Sequence, residues 1–126
     1  MLQRAVDQQQ QQQVRRDGGP VVAQLARLSA TPRTLHDVWM EYTVGIGGSK
    51  PARDFSSRER GAYKHRYCAR KIIWDRVALL VCTGLNAQTA CDRIYDVYGH
   101  GKSVTFIINA LKKDIKNKTL HGTLVV

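Results

Sequence analysis

The residues that offer chemistry are concentrated between Lys50 and Lys71, where basic side chains dominate. Eight cations stand against two carboxylates there, and the rings of Phe55, Tyr63 and Tyr67 lie between them. The cations are Lys50, Arg53, Arg58, Arg60, Lys64, Arg66, Arg70 and Lys71. Several Lys and Arg side chains on one surface can neutralise phosphates, with an affinity that falls steeply as salt is added. The stretch therefore favours a surface that binds a polyanion, and the alternative is a solvated charged face.

Patterns for catalysis, cofactor binding and metal binding are incomplete in this sequence. The residues GKS at 101–103 resemble the end of a P-loop, but the position that requires the first glycine is Asp96. The glycine-rich loop at 45–48 follows no predicted strand, which a dinucleotide fingerprint requires. The four histidines lack cysteine partners at zinc-finger spacing. We therefore expect a binding protein, not an enzyme, with no metal and no other cofactor.

Composition indicates the same class of partner. The chain has 126 residues, a formal net charge of +10 and a pI of about 10.0, so nucleic acid ranks first as a partner and an anionic membrane surface second. There is no run of 18 apolar residues, so we expect no bilayer span. The N-terminus has no apolar segment typical of a signal peptide. Three cysteines without a CxxC pair favour reduced thiols in an intracellular protein.

Capping residues and apolar spacing predict an all-α fold, a small bundle of about four helices. Helix starts are expected at Thr34, Ser56 or Ser57, Asn86 and Ser103, and helix ends near Gly45, Gly84 and Gly99. The second of these helices is expected to run without a break into an apolar half, although Gly61 weakens it. The last helix is expected to bury Val104, Ile107 or Ile108, Leu111 and Ile115.

The domain organisation follows from the same patterns. Residues 1–20 contain a glutamine run and are expected to be a disordered tail. This tail either contacts other proteins or is a passenger without a role. Residues 21–32 are predicted to be a short helix, over 21–28, or a linker. Residues 33–126 are predicted to be the helical binding domain.

The last two predicted helices have the spacing of a helix-turn-helix, in which the start of the second helix meets base edges. That start offers Ser103, Thr105 and Asn109, and an Asn side chain can pair with adenine in the major groove. His100 and Lys102 in the turn are placed for phosphate contact, and Lys112 and Lys113 extend the basic surface. The alternative is a plain helical hairpin whose polar residues face water.

Three blocks of residues resemble one known family. The first block consists of Trp39, Glu41, Thr43, Val44, Gly45, Gly47 and Gly48. The second consists of Tyr67, Arg70, Lys71, Trp74 and Asp75, and the third is GKSVTFII at 101–108. Across residues 34–124 the chain resembles the DNA-binding domain of the fungal transcriptional activators of glycolytic genes. It also resembles the related C-terminal domain of tyrosine-recombinase mobile elements.

The resemblance implies sequence-specific binding of double-stranded DNA, in the nucleus, by an all-helical module that regulates transcription without a metal. With such a role, the N-terminal tail at 1–20 is expected to contact other transcription proteins, and no membrane partner is expected. Three alternatives remain open at this point. In the first, the chain is the DNA-binding remnant of a mobile-element recombinase and lacks the catalytic residues of that enzyme. In the second, it is an RNA-binding module in which Tyr63 and Tyr67 stack on unpaired bases. The third alternative is a basic face that docks an acidic protein.

Overall fold

A computed structural model of the chain describes residues 25–126, and the predictions for the glutamine-rich tail and for residues 21–24 lie outside that range. The described residues form five α-helices and two short 3-10 helices, with no β-strand among them. The α-helices are α1 (Leu35–Thr43), α2 (Ser57–Ala62), α3 (Lys64–Cys82), α4 (Ala87–Tyr98) and α5 (Val104–Asn117). The 3-10 helices are Ala52–Asp54 and Gly122–Leu124. The predicted all-α fold is confirmed.

Side-chain caps begin four of the helices where the sequence predicts them. Thr34, Ser56, Asn86 and Ser103 each accept the backbone N–H three residues further on. Such a bond satisfies one of the free N–H groups at a helix start and is typically worth about 1 kcal/mol. At Ser56 the box is reciprocal, because Glu59 Oε1 also accepts the Ser56 N–H at 2.8 Å.

The predicted continuous second helix is broken at Tyr63, which has φ −123° and ψ 33°. α2 therefore ends at Ala62 and α3 starts afresh at Lys64. α2 has no buried residue, so packing does not hold it in line with α3. Gly61 also lowers helix stability by about 1 kcal/mol relative to Ala, so little helix free energy is lost when the chain bends at this point.

Helix α3 is central to the core, because α1, α2, α4 and α5 all pack against it. Trp74 is fully buried, and its indole Nε1 donates to the Val38 carbonyl of α1 at 2.7 Å. The Tyr42 ring stacks on this indole at 4.9 Å, and the Tyr67 ring meets it edge-on at 5.1 Å. A buried indole with a satisfied N–H and two aromatic neighbours fixes how α1 and α3 cross.

The buried stripe of α5 is shorter than predicted. Val104, Ile107, Ile108 and Leu111 are buried, but Ile115 is 41% exposed. The chain after α5 turns back and covers the core with Leu124, whose carbonyl accepts a hydrogen bond from Arg76 Nη1 at 3.1 Å. The core therefore takes its last apolar contact from the closing 3-10 helix and not from the last turn of α5.

Residues 25–33, here called the N-terminal strap, pack against the helices in a non-helical conformation. Residues 25–28, the described part of the helix predicted over 21–28, are therefore not helical. Their backbone groups form hydrogen bonds with the loop at 49–50 and not with one another. Leu25 forms a parallel bridge with Ser49, and Leu28 is buried in the core. The Leu28 carbonyl accepts from Arg66 Nη1 at 3.2 Å.

A buried ion pair fastens this strap. Arg70 Nη1 lies 2.7 Å from Glu41 Oε1, and the two residues are 4% and 3% exposed. Both charged groups also bond to the backbone of Ser29: its N–H donates to Glu41 Oε2 at 2.7 Å, and its carbonyl accepts from Arg70 Nη2. The pair therefore joins α1, α3 and the strap at one point.

Candidate nucleic-acid interface

Three of the eight cations predicted between Lys50 and Lys71 have carboxylate partners. Lys50 Nζ lies 2.6 Å from Glu59, and Lys71 Nζ lies 2.7 Å from Asp75. The hydrogen bond from Lys50 holds the pKa of Glu59 below its ordinary value, and the hydrogen bond to Asp75 raises the pKa of Lys71. Both pairs are partly or largely solvent-exposed, so each contributes little to stability and leaves its cation within reach of a competing anion.

The third partnered cation is Arg70, which is not available for the phosphate contact predicted for it. Its guanidinium is buried against Glu41 and the Ser29 carbonyl, because α3 turns this position toward α1 and the strap. A buried charge needs a partner of opposite sign and filled hydrogen bonds, and both conditions are met inside the domain. Arg70 is therefore a structural residue.

The other five cations form no ion pair with a carboxylate of residues 25–126; they are Arg53, Arg58, Arg60, Lys64 and Arg66. Four of them are exposed, and Arg60 is half-buried. Arg60 is held in place by bonds from Nη1 to the Phe55 carbonyl at 2.8 Å and from Nη2 to Ser57 Oγ at 2.9 Å. A guanidinium already fixed in position loses little side-chain entropy when it meets an anion.

A shallow cleft of about 220 Å³ lies where α2 meets α3. Its walls are formed by Arg60, Gly61, Lys64, Tyr67, Cys68 and Lys71. The lining residues come from both sides of the break at Tyr63. Three cations around one concave site concentrate positive potential there, as a phosphate contact requires.

The aromatic rings of the basic stretch are mainly packing groups. Tyr63 and Tyr67 are half-buried, and Tyr67 contacts both Phe55 and Trp74. The Arg66 guanidinium lies 5.9 Å from the Tyr63 ring centroid, and that of Arg60 lies 5.9 Å from the Tyr67 ring centroid. Cations at this distance are held by the ring quadrupole. The rings therefore orient two arginines.

Helix α5 presents a second basic face, and the structure places the residues predicted there on its exposed side. Thr105, Asn109, Lys112 and Lys113 are exposed, as is Lys102 in the turn. Ser103 is exposed as well, but its hydroxyl accepts the Phe106 N–H at 3.1 Å, so it acts as the helix cap. His100 bonds to Asp96 at 2.6 Å and stacks on Tyr95, which leaves Lys102 as the unpaired cation of the turn within residues 25–126.

Two residues that bear on these surfaces, one buried and one exposed, are not predicted as site residues from the sequence. Glu41 belongs to the first family block, and its signal is a carboxylate beside the apolar stripe of α1, which indicates a buried partner. Phe106 was not singled out; it lies 46% exposed on the polar side of α5. Its signal was its position one residue before Ile107, off the apolar stripe.

Three further features of the described residues concern metal ligands, the buried thiol and helix length. Residues 25–126 contain no cluster of three or more His, Cys, Asp or Glu side chains that could bind a metal ion. Cys91 is buried, and this burial raises the pKa of its thiol to about 11, so it stays protonated at neutral pH. None of the helices over the same range is both long and apolar enough to cross a membrane.

Comparison with known proteins identifies the family. The model of the family described as transcriptional activator of glycolytic enzymes matches residues 27–97, which is more than half of the chain. The match begins within the strap, covers α1 to α3 and nearly all of α4, and ends before α5. No curated protein and no solved structure matches the chain. The match over these residues shows that the chain belongs to the family of transcriptional activators of glycolytic enzymes.

Proposed function

We propose that this protein binds double-stranded DNA sequence-specifically in the nucleus and regulates transcription from the bound site. The observation that carries the proposal is the group of five cations without carboxylate partners among the described residues, of which Arg60 and Lys64 line the cleft between α2 and α3. This surface lies within the residues that match a family of transcriptional activators. The net charge of +10 supports the same partner, since a polyanion gains affinity from each phosphate that a cation neutralises.

Two surfaces divide the work in this proposal. The cations of α2 and of the first half of α3 contact phosphates and fix the position of the protein on the duplex. Helix α5 lies in the major groove, where Asn109 pairs with adenine and Thr105 contacts a neighbouring base edge. Phosphate contacts position a protein, whereas base contacts specify the sequence. The short turn between α4 and α5, with Gly99 at φ +115°, supports a helix-turn-helix arrangement of this pair.

Selection of bound sequences from a random duplex library tests the specificity. We expect an enriched motif, and a flat result would contradict sequence-specific binding. Affinity for the selected duplex, measured over a range of salt concentrations, tests the cationic surface. With five phosphates neutralised, log K is expected to fall with log salt at a slope of about −5. A slope near zero would exclude phosphate contact as the source of affinity.

Two substitutions separate the proposed roles. Lys64→Ala should weaken binding to all duplexes alike and reduce the salt slope by about 1. Asn109→Ala should relax preference at one position of the selected motif, at a cost of about 1–3 kcal/mol on the preferred sequence. Arg33→Ala is the control, because it removes an exposed cation that lies outside α2, α3 and α5. Equal, uniform losses for Lys64→Ala and Asn109→Ala would contradict the assignment of base reading to α5.

The same material tests the alternatives. Competition with single-stranded RNA or with an acidic protein should leave the duplex complex intact; displacement by either one would favour that partner instead. We also propose that the protein has no catalytic activity, so cleavage of the bound duplex on addition of a divalent metal would contradict this reading. Descent from a mobile-element recombinase, and contacts of the N-terminal tail with other transcription proteins, stay predictions.

A further inference from the structure

Phe106 is an exposed aromatic residue on an otherwise polar helix face. It lies in the first turn of α5 and is 46% exposed, whereas the next two residues of the chain, Ile107 and Ile108, are buried. At 100° per residue, Phe106 lies about 100° from Ile107 around the helix and points away from the core. The ring therefore adds little to the packing of α5 on the domain.

Lys102 holds this ring in a defined arrangement. Its Nζ lies 4.9 Å from the Phe106 ring centroid, within the range of a cation–π contact. The aliphatic part of Lys102 passes over Gly99, where an added Cβ would come within 3.0 Å of Lys102 Cγ. The glycine at the end of α4 thus leaves the space in which the lysine chain reaches back over the ring.

Four residues form one row along the exposed side of α5 and its preceding turn. They are Lys102, Phe106, Asn109 and Lys113, at helical spacings of four, three and four residues. A cation lies at each end of the row, and an apolar ring and an amide lie in its middle. This order matches a stretch of major groove, in which phosphates flank the base edges.

We infer that Phe106 contacts the methyl group of a thymine and is a specificity-determining residue of α5. The inference rests on the proposed function, because it needs α5 in the major groove. The thymine C5-methyl is the one apolar group on a base edge in that groove, and a Phe side chain is one of the groups that recognise it. Asn109, three residues on, is suited to adenine, so the pair would read adjacent A·T-containing steps.

Replacement of thymine by uracil tests this contact, because it removes the methyl group and leaves every hydrogen-bonding group of the base in place. Each thymine of the selected duplex is replaced in turn. We expect one position at which uracil weakens binding of the wild-type protein about fourfold, the factor for loss of one buried methyl. Phe106→Ala should bind the thymine and uracil duplexes equally, whereas Phe106→Leu, which keeps an apolar contact, should keep part of the difference.

Ile115→Ala is the matched control. Ile115 is also an exposed apolar residue of α5, 41% accessible, but it lies nine residues on, on the opposite side of the helix. This variant should retain the full thymine preference. Because Phe106 and Ile115 are both substantially exposed, neither substitution is expected to unfold the domain, which circular dichroism melting checks.

The outcomes separate the inference from the proposed function. A motif that is selected but is insensitive to uracil at every position overturns the role of Phe106 and leaves DNA binding standing. A uracil effect that persists in Phe106→Ala also overturns it, since another residue, such as Thr105, would then contact the methyl. A library without any enriched motif contradicts sequence-specific binding itself, and the inference fails with it.

Discussion

Replacement of Glu41 by Gln is expected to destabilise the domain strongly while leaving DNA affinity of the folded protein unchanged. The carboxylate is 3% exposed and lies 2.7 Å from the Arg70 guanidinium, which is itself buried. Gln preserves the volume but removes the charge, so Arg70 becomes an uncompensated buried cation. Removal of one partner from a buried pair costs about 3–5 kcal/mol, and the retained amide places this variant at about 3 kcal/mol.

Urea denaturation, followed by tryptophan fluorescence, measures the loss directly because Trp74 lies in the core and bonds to α1, the helix that carries Glu41. In a thermal melt, about 3 kcal/mol corresponds to a fall in Tm of about 12–24 °C for a domain of this size. The double variant Glu41→Leu/Arg70→Met is the control. It replaces the pair by apolar side chains, which is often neutral or stabilising, so most of the stability should return.

Two results would refute this reasoning. A loss below about 1 kcal/mol for Glu41→Gln would mean that water reaches the guanidinium and that the pair is not buried in solution. A double variant as unstable as the single one would assign the loss to packing and not to the unpaired charge. A third check concerns function: at a temperature where Glu41→Gln is folded, it should bind the selected duplex as tightly as the wild type.

Three further outcomes are expected. Because the pKa of the buried Cys91 thiol is raised to about 11, a thiol reagent at neutral pH should label two of the three cysteines, and the third only after unfolding. Gly45→Ala should lower the free energy of unfolding, measured by urea titration, by at least about 2 kcal/mol, because the residue has φ +91° and an added Cβ would lie 2.1 Å from a carbonyl oxygen. Gly61→Ala is the contrast: its Cβ would meet open space in α2, so this change should be neutral or stabilising. The Tyr98 hydroxyl donates a hydrogen bond to Asp114 and lowers the pKa of this carboxyl group. The ionised carboxylate therefore stabilises the fold fully above its unfolded pKa of about 4, and this stabilisation is lost as the pH falls through the lower pKa of the folded state. The stability difference between wild type and Tyr98→Phe should therefore be present at pH 7 and shrink toward pH 3 in acid titrations.

Much of the fold could be predicted because its signals are local. A cap such as Thr34 or Asn86 needs only its own N–H partner three residues on, and the apolar stripe of α5 needs only the helical period. The break at Tyr63 could not be predicted in the same way. Whether the chain bends near Gly61 depends on how firmly α2 packs against the domain. α2 buries no residue, and this is a tertiary property that the local sequence does not show.

For the candidate surface, too, the local pattern is predictable from the sequence and the effect of tertiary packing is not. The sequence predicts a basic face between Lys50 and Lys71 as a group, but it does not predict which of these cations are exposed. Arg66 and Arg70 are four residues apart on α3, yet Arg66 is exposed and Arg70 is buried. The difference arises from Glu41, 29 residues away in the chain, which forms the ion pair with Arg70. Only the packing of α1 on α3 decides this, and no local pattern contains it.

The attachment of the N-terminal strap also determines how the protein can be divided. A fragment that begins at Thr34 would retain α1 to α5 but would lose the Ser29 backbone groups that bond to Glu41 and Arg70. It would also lose the buried Leu28 side chain. The smallest unit that keeps these contacts therefore starts no later than Leu28, so the folding unit includes a segment that belongs to no helix.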